Sequence, residues 1–190
     1  EALEKLELEG IPVYPQPRIL KLVKDKGVQK QFYSDHGFAT APFALVENRD
    51  QINDHLHLLP VMQKMRVGGY DGRGVTPIKS QDDIHSGFDA PSVLEQWVDY
   101  EMELSVLVAR NGKGDVLSFP LVEQVFNDEA NLVDYLVSPA RVDQAIEDEA
   151  RRTAERLISE IDMVGLLAVE MFLTRDGQIL INEINPRPHN

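Results

Sequence analysis

Glu170, Glu183 and Asn185 are the residues whose types and spacing carry the clearest chemistry. The segment from Leu166 to Asn185 reads as two apolar strands joined at Asp176-Gly177. Asp-Gly between alternating hydrophobics is a strong hairpin signal and favours a two-residue turn. That turn predicts Arg175 opposite Gln178, Phe172 opposite Ile181, and Glu170 opposite Glu183. Directly opposed side chains have Cβ atoms roughly 5 Å apart, where like charges destabilise the pair. A cation between the carboxylates, or a shared proton, relieves that repulsion. Asn185 lies two residues past Glu183 and so shares its face. Two carboxylates and an amide oxygen are hard ligands, suited to Mg²⁺ carrying nucleotide phosphates. The competing reading is a solvated acidic face with the charges splayed apart, because a one-residue slip in register removes the coincidence.

A second constellation is Gly68-Gly69-Tyr70-Asp71-Gly72-Arg73-Gly74, with four glycines in seven residues. It lies between expected strands at 61–67 and 75–78. Amides in such a loop can approach phosphate oxygens with no Cβ in the way, and Arg73 adds positive charge. A P-loop is excluded, because Val75-Thr76 and a strand follow Gly74 instead of Lys-Ser/Thr and a helix. A long hairpin loop with permissive residues is the alternative. Lys64, on the strand entering the loop, points at a phosphate or is a solvated strand lysine. His36, His55, His57 and His85 sit on exposed-looking helix or turn positions and read as solvated.

The elements that position these groups are mixed. Helical spacing runs over 1–9, over 18–36 with a break at Gly27, over 49–58, and over 141–161. The last carries an apolar stripe of Ile146, Ala150, Ala154, Leu157, Ile158 and Ile161. Strands are expected at 43–46, 61–67, 75–78, 92–98, 102–109, 116–119, 121–126 and 132–137, before the final hairpin. Met102, Leu104, Val106 and Val108 face one way, and Glu103 and Ser105 the other. The order argues an α+β fold of antiparallel sheets with helices on their outer faces. Its expected division is a linker or helix at 1–16, a small lobe at 17–91 and a larger lobe at 92–190.

With 190 residues and 43% hydrophobic content the chain can bury a core. The formal net charge of -13 disfavours nucleic acid and anionic membrane as partners. An anionic ligand therefore needs a local cationic pocket plus metal. The absence of cysteine excludes disulfides, thiolate zinc sites and a cysteine nucleophile. Five methionines with no cysteine fit a cytoplasmic protein. Both ends look cut, so a longer parent chain is expected.

Several segments together resemble the ATP-grasp superfamily and, within it, the 5-(carboxyamino)imidazole ribonucleotide synthetase family. They are Lys30 to Phe43, Lys64 to Gly74, Glu95-Gln96-Trp97-Val98, Glu103 to Val106, Val108 to Arg110, Phe119 to Glu123 and Asn182 to Asn190. The resemblance implies two lobes from a three-domain chain and ATP and Mg²⁺ as cofactors. It implies bicarbonate and aminoimidazole ribonucleotide as substrates, carboxyphosphate as intermediate, a homodimer, and a mutase receiving the product. Lys26 and Lys64 would contact phosphates, and Gly69, Tyr70, Asp71, Gly72, Arg73, Gly74 and Val75 would fold over them. Glu95, Gln96, Trp97 and Val98 would hold adenine, largely through backbone groups, and Glu103 the ribose. Asn182 and Glu183 would belong to the nucleotide site, and Glu170, Glu183 and Asn185 would hold the metal. Arg187 and Asn185 would be catalytic, and Tyr70, Asp71, Arg187 and His189 would meet substrate. Two positions depart from the pattern. Lys26 replaces an arginine found in many relatives, and Phe126 a nucleotide-contacting histidine found in some. The rivals are the formate-using glycinamide ribonucleotide transformylase, another ATP-grasp ligase, and a non-catalytic nucleotide-binding module.

Overall fold

A computed structural model describes residues 2–69, 73–127 and 132–187. Three short helices open the chain: α1 (Ala2–Leu8), α2 (Pro17–Lys24) and α3 (Lys26–Asp35). The break expected at Gly27 falls at Asp25. Its carboxylate caps α3, accepting from the Gly27 and Val28 amides at 2.8 and 3.2 Å.

Strands β1 (Phe43–Val46), β2 (Val61–Met65), β3 (Val75–Ile78) and β4 (Ser92–Gln96) follow. They form an antiparallel sheet in the order β1-β4-β2-β3. Two 3-10 helices, Asp50–Leu58 and Gln81–Ser86, help close its own small core of Val46, Ile52, Val61, Ile78, Ile84 and Leu94.

A second antiparallel sheet comprises β5 (Tyr100–Arg110), β6 (Val116–Ser118), β7 (Val122–Asn127), β8 (Leu132–Val137), β9 (Gly165–Thr174) and β10 (Ile179–Pro186). Its order is β10-β9-β5-β7-β8, with β6 also paired to β5. Helix α4 (Gln144–Glu160) lays Ala150, Ala154, Leu157 and Ile158 onto one face of this sheet. That face supplies Leu104, Val106 and Val108 from β5 and Leu167, Val169 and Met171 from β9. Period two therefore sends Glu103, Glu170 and Phe172 to the opposite face.

The division drawn at 91/92 needs two corrections. β4 is a central strand of the small sheet, paired on both edges, and is no part of the larger lobe. Residues 17–38 pack Ile19, Tyr33 and Phe38 into the large core, although they precede the small sheet in sequence. From α2 onward the chain packs on the large core, leaves it for the small sheet, and returns. Among the described residues no helix is long and apolar enough to cross a membrane.

The β9–β10 hairpin pairs Glu170 with Glu183, as expected, but by a different route. The turn is one residue longer than two: the Thr174 amide bonds the Gln178 carbonyl at 3.0 Å, and Gly177 takes the left-handed φ of 83°. Phe172 therefore faces Leu180, and Ile181 faces Met171. A bulge at Asn182 then absorbs one residue and restores the Glu183–Glu170 pairing. The bulge also resets parity. Ile181 and Ile184 both enter the core, while Glu183 and Asn185 turn to the face of Glu170.

Candidate functional site

A cleft of about 710 Å³ opens between the two sheets. The large sheet contributes Glu103, Phe172, Glu170, Glu183 and Asn185, and the small sheet contributes Met62, Lys64 and Val75. Lys26 enters from the first turn of α3, and Glu95 to Val98 run along the connection between the sheets. Its size and mixed lining suit a small-molecule ligand. The Gln96 and Trp97 amides donate to the Pro42 and Pro60 carbonyls, both at 2.8 Å, which fixes the path of that connection.

Cations and anions alternate through the site. Lys26 Nζ donates to Glu183. Lys64 Nζ donates to Glu95 Oε2 and to Asn182 Oδ1, both at 2.9 Å. Glu95 is buried. Burial pushes its carboxyl up, but Lys64 and Lys30 together outweigh burial and hold it below the usual range. Burial likewise raises Glu183, and Lys26, Asn185 and Lys64 pull it down further than that.

Glu170 behaves differently. Burial first, and then the charge of Glu183, push its carboxyl up to about 7, against a hydrogen bond from Asn185. The Asn185 amide nitrogen reaches Glu170 Oε1 at 3.3 Å and Glu183 Oε1 at 3.2 Å. One donor within reach of both carboxylates defines a point where a cation would meet oxygens of each. Rotating that amide presents its oxygen to the same point, and the two orientations are chemically alternative. The donor set is hard and anionic, and one member stays half-protonated near neutrality without a cation. These residues fit Mg²⁺. Among the described residues there is no group of three or more His, Cys, Asp and Glu side chains placed to hold a metal, so the set is two carboxylates and an amide.

The glycine loop narrows at its base. Met65 N donates to the Gly74 carbonyl at 2.8 Å. A Cβ on Gly69 would stand 2.9 Å from the Arg73 carbonyl oxygen, and one on Gly74, whose φ of 74° is left-handed, would stand 3.1 Å from Gly69 Cα. Both positions need glycine so that the two arms of the loop can close together. Gly68, Gly69, Arg73 and Val75 line the cleft.

The ATP-grasp domain family matches residues 31–190, which covers the whole lining of this cleft apart from the start of α3 and the residues just before it. The chain belongs to the ATP-grasp family. It is similar to N5-carboxyaminoimidazole ribonucleotide synthase of Bacillus subtilis, with 35% identity over 90% of this chain and 46% of that protein. Among solved structures it resembles the carboxyaminoimidazole ribonucleotide synthase of Aspergillus clavatus complexed with ATP, with a TM-score of 0.91, 33% identity, and coverage of 100% and 51%. The A. clavatus synthase in complex with ADP and 5-aminoimidazole ribonucleotide gives a TM-score of 0.86 at 30% identity, covering 100% of this chain and 51% of that one. The chain spans about half the length of each of these three relatives.

Within this ATP-grasp cleft lie Lys26, Lys64, Gly69, Arg73, Val75, Glu95, Gln96, Trp97, Val98, Glu103, Glu170, Asn182, Glu183 and Asn185. Gly74 stands behind the lining at the base of the loop, packed against Met65 and Gly69. Arg187 follows β10, its amide bonded to the Leu166 carbonyl at 2.9 Å, and is not among the lining residues. Tyr70, Asp71, Gly72 and His189 lie outside the described residues. None of His36, His55, His57 and His85 lines the cleft. Phe126 lines it, as do Gln29, Arg66, Tyr100, Gln124 and Phe172, which the sequence did not single out. Gln29 is buried and joins three elements. Its amide nitrogen donates to the Val23 carbonyl at 2.8 Å, and its oxygen accepts from Tyr33 Oη at 2.9 Å and from the Ile184 amide at 3.2 Å. Position 29 could have been found from its place on α3, one turn before Tyr33 and next to Lys30.

Proposed function

We propose that this chain is the ATP-grasp part of an enzyme that carboxylates aminoimidazole ribonucleotide at the expense of ATP. The observation that carries the proposal is the convergence of Lys26, Lys64 and the Glu170–Glu183 pair on one cleft between two sheets. Four charges of both signs around one space match a polyanion bound with a divalent cation better than a neutral ligand. The resemblance to carboxyaminoimidazole ribonucleotide synthases along nearly the whole chain supports the choice of acceptor.

On this reading Lys26 and Lys64 hold phosphate oxygens, and the loop at 69–75 closes over them. Backbone groups of Glu95 to Val98 border the adenine, Glu103 accepts from the ribose hydroxyls, and Asn182 completes the nucleotide site. Glu170, Glu183 and Asn185 hold Mg²⁺, which neutralises β- and γ-phosphate charge when bound. A bicarbonate oxygen takes the γ-phosphoryl group and ADP leaves, giving carboxyphosphate. The amine of aminoimidazole ribonucleotide then bonds to the carboxyl carbon, phosphate departs with its electron pair, and the nitrogen loses a proton. Arg187 and Asn185 stabilise the transferring group, and Tyr70, Asp71, Arg187 and His189 are assigned to substrate binding. The contribution of the chain is positioning and electrostatics, with no covalent nucleophile. The enzyme then works in the cytoplasm as a homodimer and passes its labile product to a mutase.

The test is ADP release by the full-length protein with Mg²⁺. Release is expected with bicarbonate and aminoimidazole ribonucleotide together, and not with formate and glycinamide ribonucleotide. Turnover with formate, or none with bicarbonate, overturns the proposal.

A further inference from the structure

Lys30 carries a buried charge that the site chemistry above does not use. Its side chain is 2% exposed, and it does not line the 710 Å³ cleft. Its ammonium donates to Thr40 Oγ1 at 2.6 Å and to the Ile181 carbonyl at 3.4 Å. Thr40 Oγ1 in turn donates to the same carbonyl at 2.7 Å. Glu95 Oε1 stands 3.4 Å from the ammonium. Burial lowers Lys30 to about 8 against the pull of Glu95, so it is largely charged at neutral pH.

Glu95 divides its two oxygens between two lysines. Oε1 faces Lys30 on the closed side, and Oε2 accepts from Lys64 on the cleft side. Lys64 continues to Asn182, which is bonded in sequence to Ile181, the residue whose carbonyl Lys30 holds. The result is a ring that runs Lys30, Glu95, Lys64, Asn182, Ile181 and back. It joins β4 and β2 of the small sheet to the bulge of β10.

From this ring we infer that Lys30 is a positioning residue. It neutralises Glu95 from behind, so that Lys64 keeps a positive charge in surplus for the phosphates of a nucleotide. The inference rests on the nucleotide reading of the cleft. Without Lys30, one carboxylate and one ammonium remain at this end of the site, and they neutralise each other. Lys64 is then committed to Glu95, and a bound polyanion meets a pair with no net charge. A buried carboxylate with only one partner also holds that partner more tightly.

The test measures ATP affinity by calorimetry in the full-length protein, comparing wild type, Lys30→Met, and Lys30→Met combined with Glu95→Gln. Lys30→Met is expected to weaken ATP binding by about tenfold or more. Removing the Glu95 charge as well frees Lys64 again, and affinity is expected to return to within about threefold of wild type. A purely structural role predicts affinity that tracks melting temperature across the three proteins, so thermal melts accompany the calorimetry. A double variant that binds no better than Lys30→Met overturns the inference, as does wild-type affinity in Lys30→Met. Should Lys30→Met fail to fold, Lys30→Gln retains a hydrogen-bond donor without the charge and carries the same expectations. A wild-type protein that does not bind ATP overturns the reading of the cleft itself, and this inference with it.

Discussion

Glu170 lies directly across the β9–β10 ladder from Glu183. Two carboxylates in that relationship cannot both be comfortable as anions without a cation. The structure divides the burden unequally: Lys26 keeps Glu183 ionised, and Glu170 is pushed toward protonation.

That asymmetry makes metal-free stability depend on pH. In the folded chain Glu170 releases its proton at about 7, whereas its ordinary value is 4.5. Between those values the folded state holds a proton that the unfolded state has lost, so stability falls as pH rises through that window. Glu170→Gln should flatten this slope, leaving the contribution of Glu103, which burial also raises. At pH 8 with chelator, it should melt a few degrees above wild type, a gain of about 1–2 kcal/mol, while losing ATP turnover. Thermal melts from pH 4.5 to 8 check this, and a variant with an unchanged slope would falsify it.

The bulge at Asn182 gives a sharper test. Asn182→Ala removes only the bond to Lys64 and should leave the fold intact, with ATP binding weakened by about tenfold. Inserting one alanine between Asn182 and Glu183 shifts the parity again, so Glu183 and Asn185 turn toward the core while Ile184 turns out. The insertion should cost more than about 4 kcal/mol, enough to prevent folding. Circular dichroism and soluble yield distinguish the two variants.

Gly69→Ala places a methyl 2.9 Å from the Arg73 carbonyl oxygen, which is backbone and cannot rotate away. The base of the loop must open. Because no described residue of the loop joins either core, the melting temperature should move by less than about 2 °C, while ATP affinity falls by about tenfold. Equal affinity in the variant and wild type would remove the loop from the nucleotide site.

Asp25 ties the base of that loop to α3. Arg66 Nε and Nη2 grip its two oxygens at 2.9 and 2.7 Å, and the Arg66 carbonyl accepts from the Lys26 amide at 2.9 Å. The Arg66 guanidinium, against the opposing effect of burial, holds the Asp25 carboxyl below its ordinary 3.8. A depressed carboxyl stabilises the fold above that value and loses its contribution as pH falls through the folded one. Asp25→Asn should therefore cost about 1–2 kcal/mol between pH 5 and 8, with the gap to wild type narrowing in more acidic solution. Urea titrations at several pH values measure it.

The glutamate pair was legible in the sequence for a reason only half right. A two-residue turn predicts the pairing, yet the real turn is one residue longer and the bulge at Asn182 cancels the difference. Hairpin periodicity reveals faces well, as Met102 to Val108 and the stripe of α4 show, but a bulge leaves no local mark. β4 was legible as a strand and not as a member of the small sheet, because an apolar run says nothing of which edges it will pair with. Lys30 escaped for the same reason. Its four-residue spacing from Lys26 marks a shared helix face, while its burial is imposed by Glu95, 65 residues onward in number, and by Ile181.

The polypeptide departs from the large core at Pro42 and comes back at Gln96, and a single 2.8 Å hydrogen bond joins those two points. The four strands between them hang from adjacent attachments, like a door whose two pins share one post. A rotation about that post would widen or narrow the doorway without unseating Ile19, Tyr33 or Phe38, which belong to the wall. What latches the door is electrostatic: Asp25 to Arg66 at one side and Lys30 to Glu95 at the other.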